Sequence, residues 1–327
     1  MGFFSIATEV ILQEHKFRPI TGRVLMIGRQ NTGLTPPEAL HMIERLGIEV
    51  RRRDFEIDTK AMHSTRRGEI TDRSFFAAFA DCRVEAIDVS AYEGAEIIHD
   101  LSTPVPDDLK DQFDFIFDGS TLDNVFNAAI AMQNIHDLLK PHGRCVMINW
   151  SNSTPSAYSM LSPDWFMDFF AYYEYEDARV LVVEAEHPGG RVWQYNPFKN
   201  KNGYYGYQRT EIITEGRRAT VCFGEKSDRP PKSGYPVQNH YRSEKEPYLS
   251  SAIRFHNSRR PAYDFHWHGA KTDTPNISAF ETLSLLADSA RQSEPTEIKR
   301  GTDSLRYRIQ SAIREGRVIS GIKRRLT

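Results

Sequence analysis

Five times between residues 20 and 150 a short apolar run stops on a glycine, a carboxylate or an amide: Arg23-Val-Leu-Met-Ile-Gly28, Val84-Glu-Ala-Ile-Asp88, Glu96-Ile-Ile-His-Asp100, Phe113-Asp-Phe-Ile-Phe-Asp118 and Arg144-Cys-Val-Met-Ile-Asn149. Runs of this length bounded by polar punctuation predict strands. The stretches between them change period. Ala39, Leu40, Ile43 and Leu46 follow Thr35-Pro-Pro37 at helical spacing, with Thr35 placed to cap the helix. Phe75 to Phe79 reads as a short helix. Val125, Ala129, Met132, Ile135 and Leu138 form a stripe over residues 122–139, stopped by Pro141 and Gly143. Strands alternating with helices can bury both sheet faces only as a mostly parallel sheet with right-handed crossovers, so the chain reads as α/β.

Beyond residue 150 a helix is expected over Pro163 to Tyr173. Ala178 to Glu184 and Arg191 to Tyr195 then read as a hairpin turning through Pro188-Gly-Gly190. From about 196 to 276 the periodicity fades into Pro, Gly, Asn and Tyr, and helices are expected again over Ala279 to Arg291 and Ser304 to Lys323. Three segments follow: a sheet domain over 1–195, an irregular insert or cap over 196–276, and a helical basic extension over 277–327.

An open parallel sheet takes its ligands beyond the carboxyl ends of the strands, near the point where strand order reverses. Those ends carry Gly28 to Gly33, Asp88, Asp100, Asp118-Gly-Ser-Thr121 and Asn149-Trp-Ser-Asn152. A carboxylate after the second strand suits a ribose diol, since it accepts from both hydroxyls, and Asp88 takes that role. Asp100, one strand further on, can accept from an adenine amine, and Gly28 lets backbone approach a ligand closely.

The stretch from Val84 through Asp88 and His99-Asp100-Leu101, followed by Phe113 to Asn127 and by Leu138-Leu-Lys-Pro-His-Gly143, resembles class I S-adenosylmethionine-dependent methyltransferases. In particular it resembles a bacterial subgroup found among glycan and secondary-metabolite genes. The resemblance covers about Gly22 to Glu186. It implies a Rossmann-like, seven-stranded sheet with an antiparallel last strand, and S-adenosylmethionine lying across Gly28, Arg29, Gln30 and Asn31, Asp88 and Val89, His99 to Leu101, and Asp118-Gly119. It also implies methyl transfer to a small-molecule or glycan acceptor, for which Asp123, Asn124, Asn152 and Tyr158 are the candidate contacts. The chain departs from the pattern where Met26 replaces the usual acid, where Gln30 replaces a glycine, and where Asn124 stands for histidine.

Two other readings stay open. A nicotinamide-dependent oxidoreductase would use Gly28 and Gly33 as the outer glycines of G-x-G-x-x-G, yet the central glycine is absent and Asp88 lies far beyond the ~20 residues at which the ribose acid is expected. A non-catalytic methyltransferase-like scaffold would explain the altered glycine loop. The net charge of -2 excludes a surface that coats nucleic acid, and Cys82, Cys145 and Cys222 are too far apart for a zinc site, which fits a cytoplasmic protein. His266 and His268, with Asp264 nearby, have no third ligand fixed by spacing, so no metal is expected. Nine lysines and arginines from Lys299 to Arg325 against Asp303 and Glu315 give the C-terminus a local charge of +7. With Leu305, Ile309, Ala312 and Ile319 near one face, a basic amphipathic helix is expected there. It suits an anionic membrane surface or an acidic partner, or else packs as a solvated helix on the domain.

Overall fold

The computed structural model describes residues 5–60, 68–152, 157–184, 192–194, 217–230 and 232–238, together with 251 and 255. The chain divides into two units, Met1–Phe280 and Glu281–Thr327. The second lies outside the described residues, and with it the basic extension. The Asp264-His266-His268 group also lies outside them.

Within the first unit the elements run α1 (Ser5–Phe17), β1 (Thr21–Ile27), α2 (Pro36–Arg45), α3 (Asp72–Ala77), β2 (Asp81–Asp88), β3 (Ile97–Ile98), β4 (Phe113–Gly119), α4 (Ala128–Leu138), β5 (Leu139–Trp150), α5 (Pro163–Tyr172), β6 (Asp177–Glu184), β7 (Val192–Gln194) and β8 (Arg218–Glu225). They build one sheet in the order β3-β2-β1-β4-β5-β8-β6-β7. β1 to β5 run parallel; β8 is antiparallel to both β5 and β6, and β7 is antiparallel to β6. The expected α/β, Rossmann-like sheet with an antiparallel last strand is therefore present. Eight strands stand where seven are expected, because β8 joins the sheet in addition to the β6–β7 hairpin. The boundary at residue 195 consequently falls short, since β8 comes from the stretch read as an irregular insert.

Side chains alternate across this sheet as a strand's period of two requires. Val24 and Met26 of β1 join one core layer with Ile6, Val10, Phe75 and Phe76 from α1 and α3. Leu25 and Ile27 join the other, with Met132 and Ile135 of α4 and Phe166 and Phe170 of α5. Helix starts are set by local chemistry. Thr35 donates its backbone N–H to Glu38 Oε2 at 2.8 Å ahead of Pro36, Thr71 Oγ1 accepts from Ser74 N–H, and Ser162 Oγ accepts from Trp165 N–H.

α1 has no counterpart among the elements expected from the sequence. It packs Ile6, Ala7, Val10, Ile11 and Leu12 inward while its buried acids find cations: Glu14 takes Arg144 at 3.0 Å and Glu9 takes Arg45 at 3.2 Å. Arg144 also donates to the carbonyls of Glu14, Arg18 and Pro19, which fastens α1 to β5 at the end of the sheet opposite the strand carboxyl ends.

Candidate functional site

Strand order reverses between β1 and β4, so the crevice at their carboxyl ends is where a ligand belongs. Gly28 leaves β1 at φ +72, and its N–H donates to Ile87 O at 2.8 Å, tying the ends of β1 and β2 together. A Cβ at this position would stand 3.0 Å from Thr121 Oγ1 and 3.6 Å from Asp88 Oδ2. Thus Gly28, Asp88 and the turn after β4 converge at one point, and only glycine fits there.

Asp88 is half-buried at the end of β2. Its Oδ1 accepts from Ser90 N–H at 3.2 Å and its Oδ2 lies toward Gly28. Val89 beside it is 70% exposed. The loop after β3 starts from His99, whose N–H donates to Asp88 O and whose ring meets Thr103 O at 3.1 Å. Asp100 is exposed and shapes that loop by accepting from Ser102 N–H at 2.8 Å. Leu101 is buried, and its carbonyl accepts from Asn134 Nδ2. Asp88, Val89 and His99 to Leu101 therefore form one continuous lip along β2 and β3.

On the far side of Gly28 the residues have other employment. Arg29 binds Asp72 at 3.0 Å and Glu96 at 2.5 Å, and Arg73 also reaches Glu96. Burial raises the Asp72 pKa against the pull of Arg29. Burial also raises that of Glu96, but there the N–H of Ala86 with Arg29 and Arg73 outweighs it, and the net shift is downward. Arg29, Gln30 and Asn31 border a cavity of about 70 Å³ shared with Asp72, Arg73 and Glu93, and none of Asp88, Asp100 or Asp118 lines it. A nucleoside ligand needs several times that volume. Burial and the neighbouring Asp88 charge raise the Glu93 pKa.

Gln30 is 3% exposed, and its side chain folds into the crevice itself. Nε2 donates to Ile27 O at 2.7 Å, to Gly28 O at 3.3 Å and to Thr121 Oγ1 at 3.3 Å. Oε1 is buried without a hydrogen-bond partner and presses on Gly119, where an added Cβ would stand 2.4 Å away.

Asp118, at the end of β4, is fully buried. Oδ1 accepts from the N–H groups of Thr121 and Leu122, and Oδ2 accepts from Asn149 Nδ2 at 2.8 Å. Burial pushes its pKa up to about 7, opposed by those donors and assisted by the nearby Asp123 charge. Asp123 is equally buried. It accepts from Ser120 Oγ, from Trp150 N–H and from Asn124 Nδ2, and burial raises its pKa too. The Asn149 carboxamide joins the pair by accepting from Asp123 N–H at 3.1 Å. The two carboxylates thus brace the turn after β4, with Ser120 held at φ +72.

Asn124 is half-buried and donates to Ser120 O at 2.7 Å, while Asn152 Oδ1 accepts from Arg218 N–H at 2.7 Å. Tyr158 is 74% exposed and meets the 85% exposed Phe126 edge to face at 6.0 Å. Gln30, Thr121 and Asn149 stand on the rim that the strand ends define, but their side chains turn inward, to the Ile27 carbonyl and to Asp118. The clue to Gln30 was Gly119, a glycine at the end of β4 with a β-type backbone, whose missing side chain is the room that Gln30 takes.

Among the described residues no group of three or more His, Cys, Asp or Glu side chains could hold a metal, and no helix is long and apolar enough to cross a membrane. A second cavity of about 340 Å³ lies along α4 and α5, lined by Trp165, Phe169 and Tyr235 with Asp164 and Asp168, and includes none of the rim residues.

S-adenosylmethionine meets a divided site here. At the lip Asp88 presents Oδ2 beside Gly28, the kind of acceptor a diol uses. The crevice that would take the amino-acid tail is filled by Gln30, and in this arrangement it does not fit.

No family profile and no curated protein matches the chain. Among solved structures it is similar to the 1,6-didemethyltoxoflavin-N1-methyltransferase of Burkholderia thailandensis, at 15% identity over 68% of this chain and 78% of that one, with a TM-score of 0.34. It is also similar to a SAM-dependent methyltransferase of Thermotoga maritima (16% identity, 68% and 90% coverage, TM-score 0.31) and to a zinc-dependent alcohol dehydrogenase of Rhodobacter sphaeroides (14% identity, 51% of each chain, TM-score 0.24). Likenesses this slight, spread over two kinds of enzyme, add nothing to the topology and the geometry of the site.

Proposed function

We propose that the chain binds S-adenosylmethionine along the carboxyl rim of β1, β2 and β3 and transfers its methyl group to a small-molecule or glycan acceptor. The observation that carries this reading is the convergence of Gly28 and Asp88 at the ends of adjacent parallel strands, with Asp88 Oδ2 3.6 Å from the place a Gly28 Cβ would take. The antiparallel β8 lodged between β5 and β6 supports it, because the resemblance implies a sheet with an antiparallel last strand, here supplied from beyond Glu186.

In this reading Asp88 accepts from the ribose hydroxyls, Gly28 permits close approach, and His99, Asp100 and Leu101 wall the base. When bound, the sulfonium supplies a methyl group open to in-line displacement, a reaction that asks the protein mainly for alignment and exclusion of water. Tyr158 and Phe126 offer the acceptor an exposed aromatic face near the turn after β4. Asp123 is engaged inside the fold, so it holds that turn in place and Asn124 with it. A nicotinamide cofactor is the poorer candidate: its pyrophosphate needs the close backbone approach that a middle glycine gives, and Gln30 stands there. We place the protein in the cytoplasm, where its three free cysteines would stay reduced.

Titration calorimetry of the full chain tests the reading. S-adenosylmethionine and S-adenosylhomocysteine should bind with dissociation constants below about 1 mM, NAD(H) should not bind, and Asp88→Ala should abolish the signal. Silence from both sulfur nucleosides at millimolar concentration would leave the non-catalytic scaffold, which the filled crevice also favours.

A further inference from the structure

We infer that the Gln30 side chain is a built-in stopper that imitates the amino group of the ligand's amino-acid tail, so that the closed crevice admits adenosine but must expel Gln30 to admit the whole S-adenosyl ligand. The inference rests on the reading of the rim as an S-adenosylmethionine site and adds how access to it is controlled.

The last carbonyls of β1 are the acceptors that a strand end offers to a ligand. Those of Ile27 and Gly28 both take the Gln30 amide nitrogen, at 2.7 and 3.3 Å. An α-ammonium group carries the same kind of donor and would claim the same two oxygens. Exchange of one for the other therefore keeps a donor on both carbonyls, and Thr121 Oγ1, the third acceptor at 3.3 Å, still donates to Ile27 O. The other half of the carboxamide makes the exchange favourable: Oε1 is buried with no partner, and swinging outward gives it water. Gly119 records the fit, since any side chain there would collide with Oε1. Asp88 Oδ2 and Gln30 Nε2 stand 3.6 and 3.7 Å from the place a Gly28 Cβ would take, but the Gln30 amide bonds Ile27, Gly28 and Thr121 and neither Asp88 nor the β2–β3 lip, so the adenosine end should depend far less on its position.

A ligand whose competent state is only partly populated binds more weakly by that fraction. Removing the stopper should therefore tighten tail-bearing ligands selectively. Calorimetry on the full chain compares adenosine and S-adenosylhomocysteine for wild type, Gln30→Gly and Gln30→Ala, with thermal unfolding to confirm folding; the alanine variant keeps the backbone stiffness that glycine loses. The expected result is at least a tenfold gain for S-adenosylhomocysteine in both variants, with adenosine within about threefold of wild type. A gain below threefold, a loss, or an equal gain for adenosine would overturn the stopper while leaving the site intact, provided Asp88→Ala still abolishes binding. Absence of binding by either ligand to every form would instead remove the underlying reading, and the stopper with it.

Discussion

Asp118 offers a test whose size can be worked from its surroundings. The carboxyl is fully buried, and burial raises its pKa from an ordinary 3.8 to about 7 despite three donors. An acid whose folded pKa lies above its unfolded one stabilises the fold while protonated, and that contribution is complete below the unfolded value. It is lost as pH rises up to and through the folded value, because between the two values the native state holds a proton that the unfolded chain has already released. Each tenfold difference in proton affinity is worth about 1.4 kcal/mol, so the loss between pH 5 and pH 8 integrates to roughly 2.5 kcal/mol. Asp118→Asn removes this titration while keeping an acceptor for the N–H groups of Thr121 and Leu122. It sets an amide donor against Asn149 Nδ2, which costs about 1–2 kcal/mol at every pH. Urea unfolding followed by tryptophan fluorescence, at pH 5 and pH 8, should show the variant less stable than wild type at pH 5 and equal to it or more stable at pH 8. Parallel pH dependences for the two proteins would refute the assignment of a buried, proton-holding carboxyl to this turn.

Other expectations follow from the same geometry. Arg144→Ala removes the ion pair of the buried Glu14 and one donor from each of three carbonyls, so urea unfolding should show a loss of about 3–5 kcal/mol, largely recovered by pairing Arg144→Met with Glu14→Leu. Gly119→Ala should destabilise wild type by about 1–3 kcal/mol through collision with Gln30 Oε1 and much less in a Gln30→Gly background, a coupling that a double-mutant cycle reads directly. The basic C-terminal extension, proposed to meet anionic lipid or an acidic partner, is tested by flotation with phosphatidylserine vesicles. Full-length protein should float at low salt and a chain ending at Ser293 should not; equal recovery would dismiss the lipid.

The sequence made the parallel half of the sheet legible because its strands are buried on both faces and so appear as apolar runs, as in Val24 to Ile27. β8 escaped notice for the opposite reason. Its run Arg-Ala-Thr-Val-Cys-Phe-Gly-Glu is buried almost throughout, but Gly224 sits where Phe170, Tyr175 and Cys145 leave no space for a side chain, and Thr220 hides its hydroxyl on Leu161 O. Small and polar residues chosen by their neighbours do not advertise a strand. α1 was obscured because Glu9 and Glu14 read as surface residues until Arg45 and Arg144 are seen to meet them. At the site, strand ends located Gly28, Asp88 and Asp118 together, but no pattern in one dimension distinguishes a carboxylate turned to the rim from one turned inward. Asp88 and Asp118 differ only in what the loops after them provide.

The position of β8 also bears on how the chain is made. Trp150 of β5 pairs with Ala219 and Glu184 of β6 pairs with Arg218, so during synthesis both strands leave the ribosome with an open edge and wait for a partner not yet translated. A nascent chain paused before residue 217 exposes two apolar strand borders at once, a template for association with other copies. Holdase chaperones should therefore engage this interval, and termination anywhere between 185 and 217 should send the product to aggregates rather than to a smaller folded protein.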